Sequence, residues 1–452
     1  MTMKFFGIVF CFLCVNLAIA SESYKAGVIH GQKDINSYKS FITDAAEMGV
    51  DILVLPALEP SEMPSYDEKV KTISASAKQA GLYIVLHLFE NIHCHLGKET
   101  IRSNLVFDRE GSIVAVYRKP VNAFANCSSP ASDLVTFATD FGVTFGLLME
   151  EDLVLQDPGL LRGLRNYVVV GGLESEIPML SAAMFSPSWS YVNNANLITN
   201  SGVYSKTGLK SGSEELSVVE LQKNGDNENT AFSVIPSKTY PSEDLTQYTI
   251  RPLDMEASTK GLRDTVCHGG FCCDFYVKTA VTGSKPDVTY SLAAFDGVRQ
   301  YSASHNIGTQ NCGIFACSGL QKNCVSGLQD NTILFERISI AANFTKQTSQ
   351  YPIVQTVLPT EKITFDVKSD GISEQVTLNI VDGQNIVNVG ILGRDCTKDF
   401  ESSYVFGEKN NTKTDGVYDY IYNEEIQEVV DYIWIRLRVL IVVVSIYILE
   451  MM

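Results

Sequence analysis

Cysteine and histidine side chains in the first half of the chain are of types that can serve as a nucleophile or as metal ligands. Cys94 and Cys127 are the nucleophile candidates, because a thiolate attacks carbonyl carbon atoms. A disulfide or a buried thiol is the interpretation that we favour for both. His93 and His95 flank Cys94, but adjacent residues of an extended segment point to opposite faces, and no second ligand cluster accompanies them. We therefore predict no metal site and no cofactor.

The N-terminus has the order of a cleavable secretory signal. Lys4 precedes an apolar run over residues 5–18, and the small residues Ala18 and Ala20 stand before Ser21. A membrane anchor is the alternative, but the run is shorter than the ~20 residues that a spanning helix needs. We predict a signal peptide over residues 1–20 and a secreted, extracellular protein. Three sequences of the type N-x-S/T are then glycosylation candidates, at Asn126, Asn343 and Asn410.

Removal of that signal leaves nine of the 11 cysteines in an oxidising compartment, where disulfides persist. Seven of the nine lie in the second half of the chain, and we expect these to be structural: Cys267, Cys272, Cys273, Cys312, Cys317, Cys324 and Cys396. Cys272 and Cys273 are too close to pair easily with one another, so we expect different partners. Because nine is odd, at least one cysteine is free or pairs outside the chain.

The composition excludes two classes of protein. With 45% hydrophobic residues, the chain has enough apolar surface to fold, which excludes a mainly disordered protein. The chain has 35 basic and 52 acidic side chains and a net charge of −17, and it lacks a basic stripe, so nucleic acid is not an expected partner. A length of 452 residues favours at least two domains.

The first domain, predicted over residues 21–222, alternates helical patterns with apolar strands. Apolar residues at helical spacing over residues 35–48 precede a buried strand at 52–56, and the pattern recurs before strands at 83–88 and 167–171. The last of these strands follows a helix-like segment over 158–164. Residues 104–107 and 112–117 flank a hairpin turn. Helices that alternate with continuously apolar strands predict an α/β layered domain whose sheets are covered on both faces.

The sequence pattern changes from alternating helices and strands to mainly strand-like runs after the polar residues 224–230. The alternating strand-like runs and the cysteines that follow predict a second domain over residues 223–416, rich in β-strands and stapled by disulfides. The tail, residues 417–452, contains an apolar run at 439–449. A cleaved glycolipid membrane anchor would use such a run, but no attachment site lies near it, so a buried or interfacial terminal segment is the other interpretation.

Eight segments of the chain stand in one collinear order: residues 52–56, 116–120, 133–137, 145–158, 178–182, 201–204, 266–273 and 292–297. Together they resemble the vanin and biotinidase branch of the carbon–nitrogen hydrolase (nitrilase) superfamily. The resemblance implies an α-β-β-α nitrilase-type sandwich followed by a vanin-type base domain. It also implies hydrolysis of amides: a cysteine attacks the amide carbon, a glutamate shuttles the proton and a lysine stabilises the oxyanion.

Only one residue of that catalytic triad is retained in this sequence, at Lys119. Ala57 stands at the glutamate position, and Glu150 stands at the cysteine position. Glu59 lies two residues beyond Ala57 and is a substitute for the base if it faces the same way. No cysteine lies between Cys127 and Cys267, so no shift of the alignment supplies a thiol. We hypothesise that Glu150 and Lys119 form an ion pair that fills the former site.

The sequence therefore predicts a secreted vanin-like pseudoenzyme. One alternative is an active hydrolase of linear amides such as pantetheine or biotinyl amides. Another is a binding module that holds a pantetheine-like ligand without cleaving it. The sequence leaves the ligand, the oligomeric state and the disulfide pairing open.

Overall fold

The computed structural model describes most of residues 21–399. It leaves out residues 32–34, 57–64, 95–96, 122–133, 158, 162, 174–176, 211–214, 227–231, 235–242, 282–287, 303–304, 318–322, 325–332 and 357–359. It also leaves out the side chains at 93, 94, 97, 98, 233, 234, 243, 281, 323, 324, 360 and 361. The predicted signal peptide, Ala57, Glu59, Asn126, Cys127, Asn410 and the predicted tail therefore lie outside the described residues.

The first 222 residues contain the following elements: β1 (Ser23–Ile29), α1 (Tyr38–Glu47), β2 (Ile52–Val54), α2 (Tyr66–Ala80), β3 (Tyr83–Cys94), β4 (Gly97–Phe107), β5 (Ile113–Pro120), β6 (Val135–Ala138), β7 (Thr144–Leu148), α3 (Asp152–Leu155), β8 (Asn166–Val169), α4 (Ala182–Asn193), β9 (Asn196–Thr199), β10 (Val203–Ser205), β11 (Gly208–Leu209) and β12 (Leu216–Gln222).

The remaining elements are β13 (Phe232–Val234), β14 (Glu243–Asp244), β15 (Thr249–Pro252), α5 (Met255–Ser258), β16 (Leu262–His268), β17 (Phe271–Val281), β18 (Thr289–Ser302), β19 (His305–Cys317), β20 (Asn323–Cys324), β21 (Ile333–Thr345), β22 (Ser349–Thr356), β23 (Thr360–Ser369), β24 (Ser373–Gln384), β25 (Ile386–Asp395) and a 3₁₀ turn (Cys396–Lys398).

Two six-stranded sheets form the centre of the N-terminal half. The first has the strand order β12-β1-β2-β3-β4-β5, and β1, β2 and β3 run parallel in it. The second has the order β11-β10-β9-β8-β7-β6, and β7, β8 and β9 run parallel. Leu53 packs with helices α1 and α2 on the outer face, whereas Ile52 and Val54 face the second sheet. Both faces of β2 are thus buried, which explains its continuously apolar sequence.

Local sequence signals account for the two helices on the outer face. Helix α2 begins with a capping box formed by Ser65 and Glu68 and ends at Gly81, which has φ +64°. Helix α1 ends just before Gly49, which has φ +73°. The helix predicted over 158–164 is wrong for the described part of that segment: Gly159 donates its N–H to Asp157 Oδ1 at 2.7 Å, and residues 159–161 form turns.

Helix α4 covers the second sheet and joins it to the C-terminal half. Trp189 packs edge-on against Tyr167 of β8, with ring centroids 5.2 Å apart. Phe185 packs against Tyr351 of β22 at 4.9 Å. The predicted α-β-β-α sandwich is therefore confirmed, and a third layer of strands packs directly on its outer helix.

The β-rich C-terminal half consists of that layer of strands and a second sheet packed against it. One sheet has the order β15-β18-β19-β25-β22, and the other has the order β13-β23-β24-β21-β17-β16. A shared core of apolar side chains lies between them. Residues up to 400 form one compact unit. No described helix is long and apolar enough to cross a membrane.

Disulfides staple this half, as the cysteine pattern predicted. Cys267 pairs with Cys272, and Cys273 pairs with Cys312, so the two adjacent cysteines have different partners. Cys317 is also a disulfide cysteine. Cys396 is a free thiol, so its assignment as a disulfide candidate is wrong. The side chains of Cys94 and Cys324 lie outside the described residues.

Candidate functional site

Residues predicted to form the site lie where the parallel strands of the second sheet end. Glu150 follows β7 and enters α3, and Lys119 lies near the end of β5. Arg102 of β4 stands directly opposite Lys119 in the antiparallel register. This edge of an open α/β sheet is where ligand sites usually form. Ala57 and Glu59 lie outside the described residues, so their relation to Lys119 stays a prediction.

Two carboxylates hold the Lys119 ammonium. Lys119 Nζ lies 2.6 Å from Glu151 Oε1 and 2.7 Å from Asp152 Oδ1. Arg102 also binds Glu151 with both terminal nitrogens, at 2.7 and 3.2 Å. The hypothesis of a Lys119–Glu150 ion pair is therefore wrong: the two residues after Glu150 take that role. We call Lys119, Arg102, Glu151 and Asp152 the charge cluster.

Mutual compensation keeps the charge cluster ionised. Burial lowers the pKa of Lys119, but the carboxylates of Asp152 and Glu151 outweigh burial and raise it above its ordinary value. Burial raises the pKa of Glu151, but Lys119 and Arg102 outweigh it and lower that pKa. Asp152, only 1% exposed, also accepts the N–H of Met149 at 2.8 Å. Two positive and two negative charges thus neutralise one another.

Glu150 points away from the charge cluster. Its side chain is buried, and Ser201, which follows β9, donates its hydroxyl to Glu150 Oε1 at 3.2 Å. Burial raises the pKa of Glu150 to about 7, against the lowering effect of hydrogen bonds from Ser201, Thr199 and the Leu173 backbone. Among the described residues no cation forms an ion pair with it.

A buried polar pair beside the site joins the two sheets. Asn104 of β4 donates its amide to Leu148 O at 2.7 Å and to Val170 O at 3.0 Å, both at the ends of strands of the other sheet. Its Oδ1 lies 2.6 Å from His87 Nδ1, and because that oxygen only accepts, His87 carries its proton on Nδ1. Burial lowers the pKa of His87 to about 4, so the imidazole is neutral.

Known proteins are similar to this chain over much of its length. Residues 238–399 match the family model described as the Vanin C-terminal domain. Over 412 residues, the chain is 26% identical to Vanin-like protein 1 of Drosophila melanogaster, and the alignment covers 75% of this chain and 74% of that protein.

The chain is similar to vanin-like proteins. Two of its other relatives carry enzyme names. A pantetheinase of Bos taurus is 23% identical over 348 residues, which is 66% of each chain. A biotinidase of Takifugu rubripes is 24% identical over 325 residues, covering 58% of this chain and 62% of that protein.

The C-terminal half of the chain approaches the charge cluster with the hairpin of β18 and β19. Burial and the nearby carboxylates of Glu151 and Asp152 raise the pKa of Tyr301. Burial and the Lys119 charge lower the pKa of His305, at the other side of the hairpin tip. Both halves of the chain therefore contribute side chains to the surroundings of the charge cluster.

Sequence reasoning missed three members of the charge cluster: Arg102, Glu151 and Asp152. A partial signal for Arg102 was present: extending the predicted hairpin backwards places residue 102 opposite residue 117, and the register shift between Val106 and Phe107 moves it opposite Lys119. No comparable signal distinguishes Glu150 from Glu151. Successive residues entering a helix point about 100° apart, so the direction of each depends on how the turn begins.

Other predicted positions lie elsewhere. Asn343 has an exposed side chain on β21, as a glycosylation acceptor requires. No group of three metal-type ligands occurs among the residues that the structure describes, and the side chains of His93, Cys94 and His95 are not among them.

Proposed function

We propose that this chain is a secreted vanin-like pseudoenzyme, which lacks the thiol-dependent amidase chemistry implied by its family. The observation that carries the proposal is the geometry after β7. Glu150 stands where the resemblance places the nucleophilic cysteine, and Lys119 is held by Glu151 and Asp152 at 2.6 and 2.7 Å.

Each of these features removes one step of amide hydrolysis. A buried carboxyl at position 150 cannot form the thioester, and the sequence between residues 127 and 267 contains no cysteine. An ammonium that is neutralised by two carboxylates is a weak stabiliser of a developing oxyanion. Ala57, at the position of the base, has no group that accepts a proton.

Secretion is part of the same proposal. Its supports are the predicted signal peptide over residues 1–20 and the disulfides of the C-terminal half, which persist in an oxidising compartment. The exposed Asn343 is consistent with glycosylation there.

The test is an assay of the purified full chain with pantetheine and with biotinyl lysine, the substrate types suggested by the names of its relatives. We expect no hydrolysis above the buffer rate, and the same result for Lys119→Ala. Turnover that Lys119→Ala abolishes would overturn the proposal and favour the active hydrolase, with Glu59 or another residue as the base.

A calorimetric titration with pantetheine on the same material tests the remaining alternative. Heat of binding without turnover would identify a binding module that keeps the ligand site. The absence of both leaves the pseudoenzyme without a pantetheine-like ligand, and its role then lies elsewhere on the molecule.

A further inference from the structure

The Glu150 carboxyl connects the ends of three parallel strands. Glu150 itself follows β7, and its carboxyl accepts the hydroxyl of Ser201, which follows β9, at 3.2 Å, while the Leu173 backbone after β8 and the Thr199 side chain at the end of β9 also lower its pKa. The same turn carries the next two residues of the chain into the charge cluster. The protonation state of one side chain is therefore positioned to act on the whole turn over residues 149–152, which we call the site turn.

The charges around Glu150 leave its ionised form uncompensated. Lys119 and Arg102 are already neutralised by the carboxylates of Glu151 and Asp152. Among the described residues, the other titratable groups that face Glu150 are the phenols of Tyr204 and Tyr301, which carry no positive charge. Ionisation adds one buried negative charge beside two others, and an unpaired buried charge is strongly unfavourable.

We propose that Glu150 is a proton-controlled latch: the neutral carboxyl holds the site turn against the ends of β8 and β9, and its ionisation releases the turn. This inference is independent of the proposed loss of amidase activity. A pKa of about 7 for Glu150 places the transition close to neutral pH.

The sign of the effect follows from the direction in which the pKa moves. The pKa of Glu150 rises from 4.5 to about 7 on folding, so its stabilising contribution is complete below about pH 4.5 and is lost as the pH rises to 7. His87 acts in the opposite direction, because its pKa falls from 6.5 to about 4. The profile of the whole protein mixes both effects, and a variant at position 150 is needed to separate them.

The experiment is amide hydrogen exchange of the full chain at pH 5.5 and pH 8.5, corrected for intrinsic exchange rates and resolved for peptides that cover the site turn. Glu150→Gln keeps the shape of the side chain and removes its titration. Glu110→Gln, at an exposed glutamate in the turn between β4 and β5, is the matched control.

We expect the wild type and Glu110→Gln to lose protection in the site turn by about tenfold or more at pH 8.5, because the opening equilibrium grows tenfold for each pH increment of one between the ordinary pKa of 4.5 and the folded pKa of about 7. Glu150→Gln should show equal protection at both pH values. Equal protection in the wild type, or the same loss in Glu150→Gln, would overturn the latch.

Infrared titration of the carboxyl band gives a second readout that does not depend on the folding of Glu150→Gln. Ser201→Ala removes a hydrogen bond that lowers the pKa of Glu150, so the titration midpoint should rise. The pH at which the site turn loses protection should rise with it. A midpoint that moves while the exchange profile stays fixed would contradict the coupling between proton and turn.

Discussion

Single residues decide how the charge cluster is stabilised. Asp152 is almost fully buried, and its only cationic partner among the described residues is Lys119, at 2.7 Å. Glu151, in contrast, keeps Arg102 when Lys119 is removed. The two carboxylates therefore differ in what the loss of the lysine costs them.

Lys119→Met should lower the free energy of unfolding by about 3–5 kcal/mol, because it leaves a buried carboxylate unpaired. The double variant Lys119→Met/Asp152→Asn should recover part of that loss. Urea unfolding at pH 7 measures both. Lys362→Met is the control, since Lys362 and Asp382 form a pair with side chains 66% and 53% exposed, and it should change stability by less than about 1 kcal/mol.

A Lys119→Met variant as stable as Lys362→Met, or strictly additive effects of the two cluster substitutions, would contradict this role of Lys119. The sequence predicted that Lys119 pairs with a carboxylate. It indicated Glu150, whereas the structure pairs Lys119 with Glu151 and Asp152. The direction of a side chain that enters a helix depends on the turn before it, and three consecutive acidic residues at 150–152 offer the same chemistry to a sequence alignment.

The helices and strands were more predictable than the contacts between their side chains, because the burial of an element produces a pattern of apolar residues in the sequence. Strands β2 and β3 are apolar on both faces, since one face packs on helices α1 and α2 and the other on the second sheet. The apolar residues of the segment at 158–164 predicted a helix. Asp157 instead initiates a turn, because its carboxylate accepts the N–H of Gly159. Local hydrogen bonding there competes with the helical pattern.

Asn104 joins the two sheets, and its replacement should be costly. Asn104→Leu removes the hydrogen bonds of Asn104 to Leu148 O, Val170 O and the proton of His87 Nδ1, and Leu148 O then keeps the N–H of Val170, so we expect a loss of about 2 kcal/mol or more in unfolding free energy. Asn379→Leu is the matched control, because the Asn379 side chain bonds to Thr364 at the exposed surface of a sheet, at 3.3 Å, and to no other described residue. Chemical denaturation of both variants gives the comparison, and equal stabilities would refute the linking role of Asn104.

The whole molecule depends on contacts that no local pattern encodes. Arg394 of β25 donates to Val154 O of helix α3 at 2.8 Å, across 240 residues of sequence. The cysteine count predicted disulfides and at least one unpaired thiol, but it could not choose Cys396 as that thiol. Pairing is set by which strands become neighbours, as in the link between β17 and β19 through Cys273 and Cys312.

Alkylation of the denatured, unreduced protein followed by peptide mapping tests this arrangement. We expect Cys396 to be alkylated, whereas Cys267, Cys272, Cys273 and Cys312 should be protected until a reductant is added. The reduced and denatured protein is the control for peptide recovery. Full alkylation of those four cysteines without reductant would show that the C-terminal half is not stapled and would remove a support for secretion.

The most direct test of the proposed loss of amidase chemistry is a search for a covalent intermediate at the site. The full chain is incubated with excess pantetheine, quenched with acid, and analysed by intact mass and by peptide mapping of residues 145–204. We expect an unmodified mass for the wild type, because Glu150 stands where the resemblance places the thiol and Lys119 is neutralised by Glu151 and Asp152. A pantothenoyl adduct on any residue of that segment would contradict the pseudoenzyme proposal.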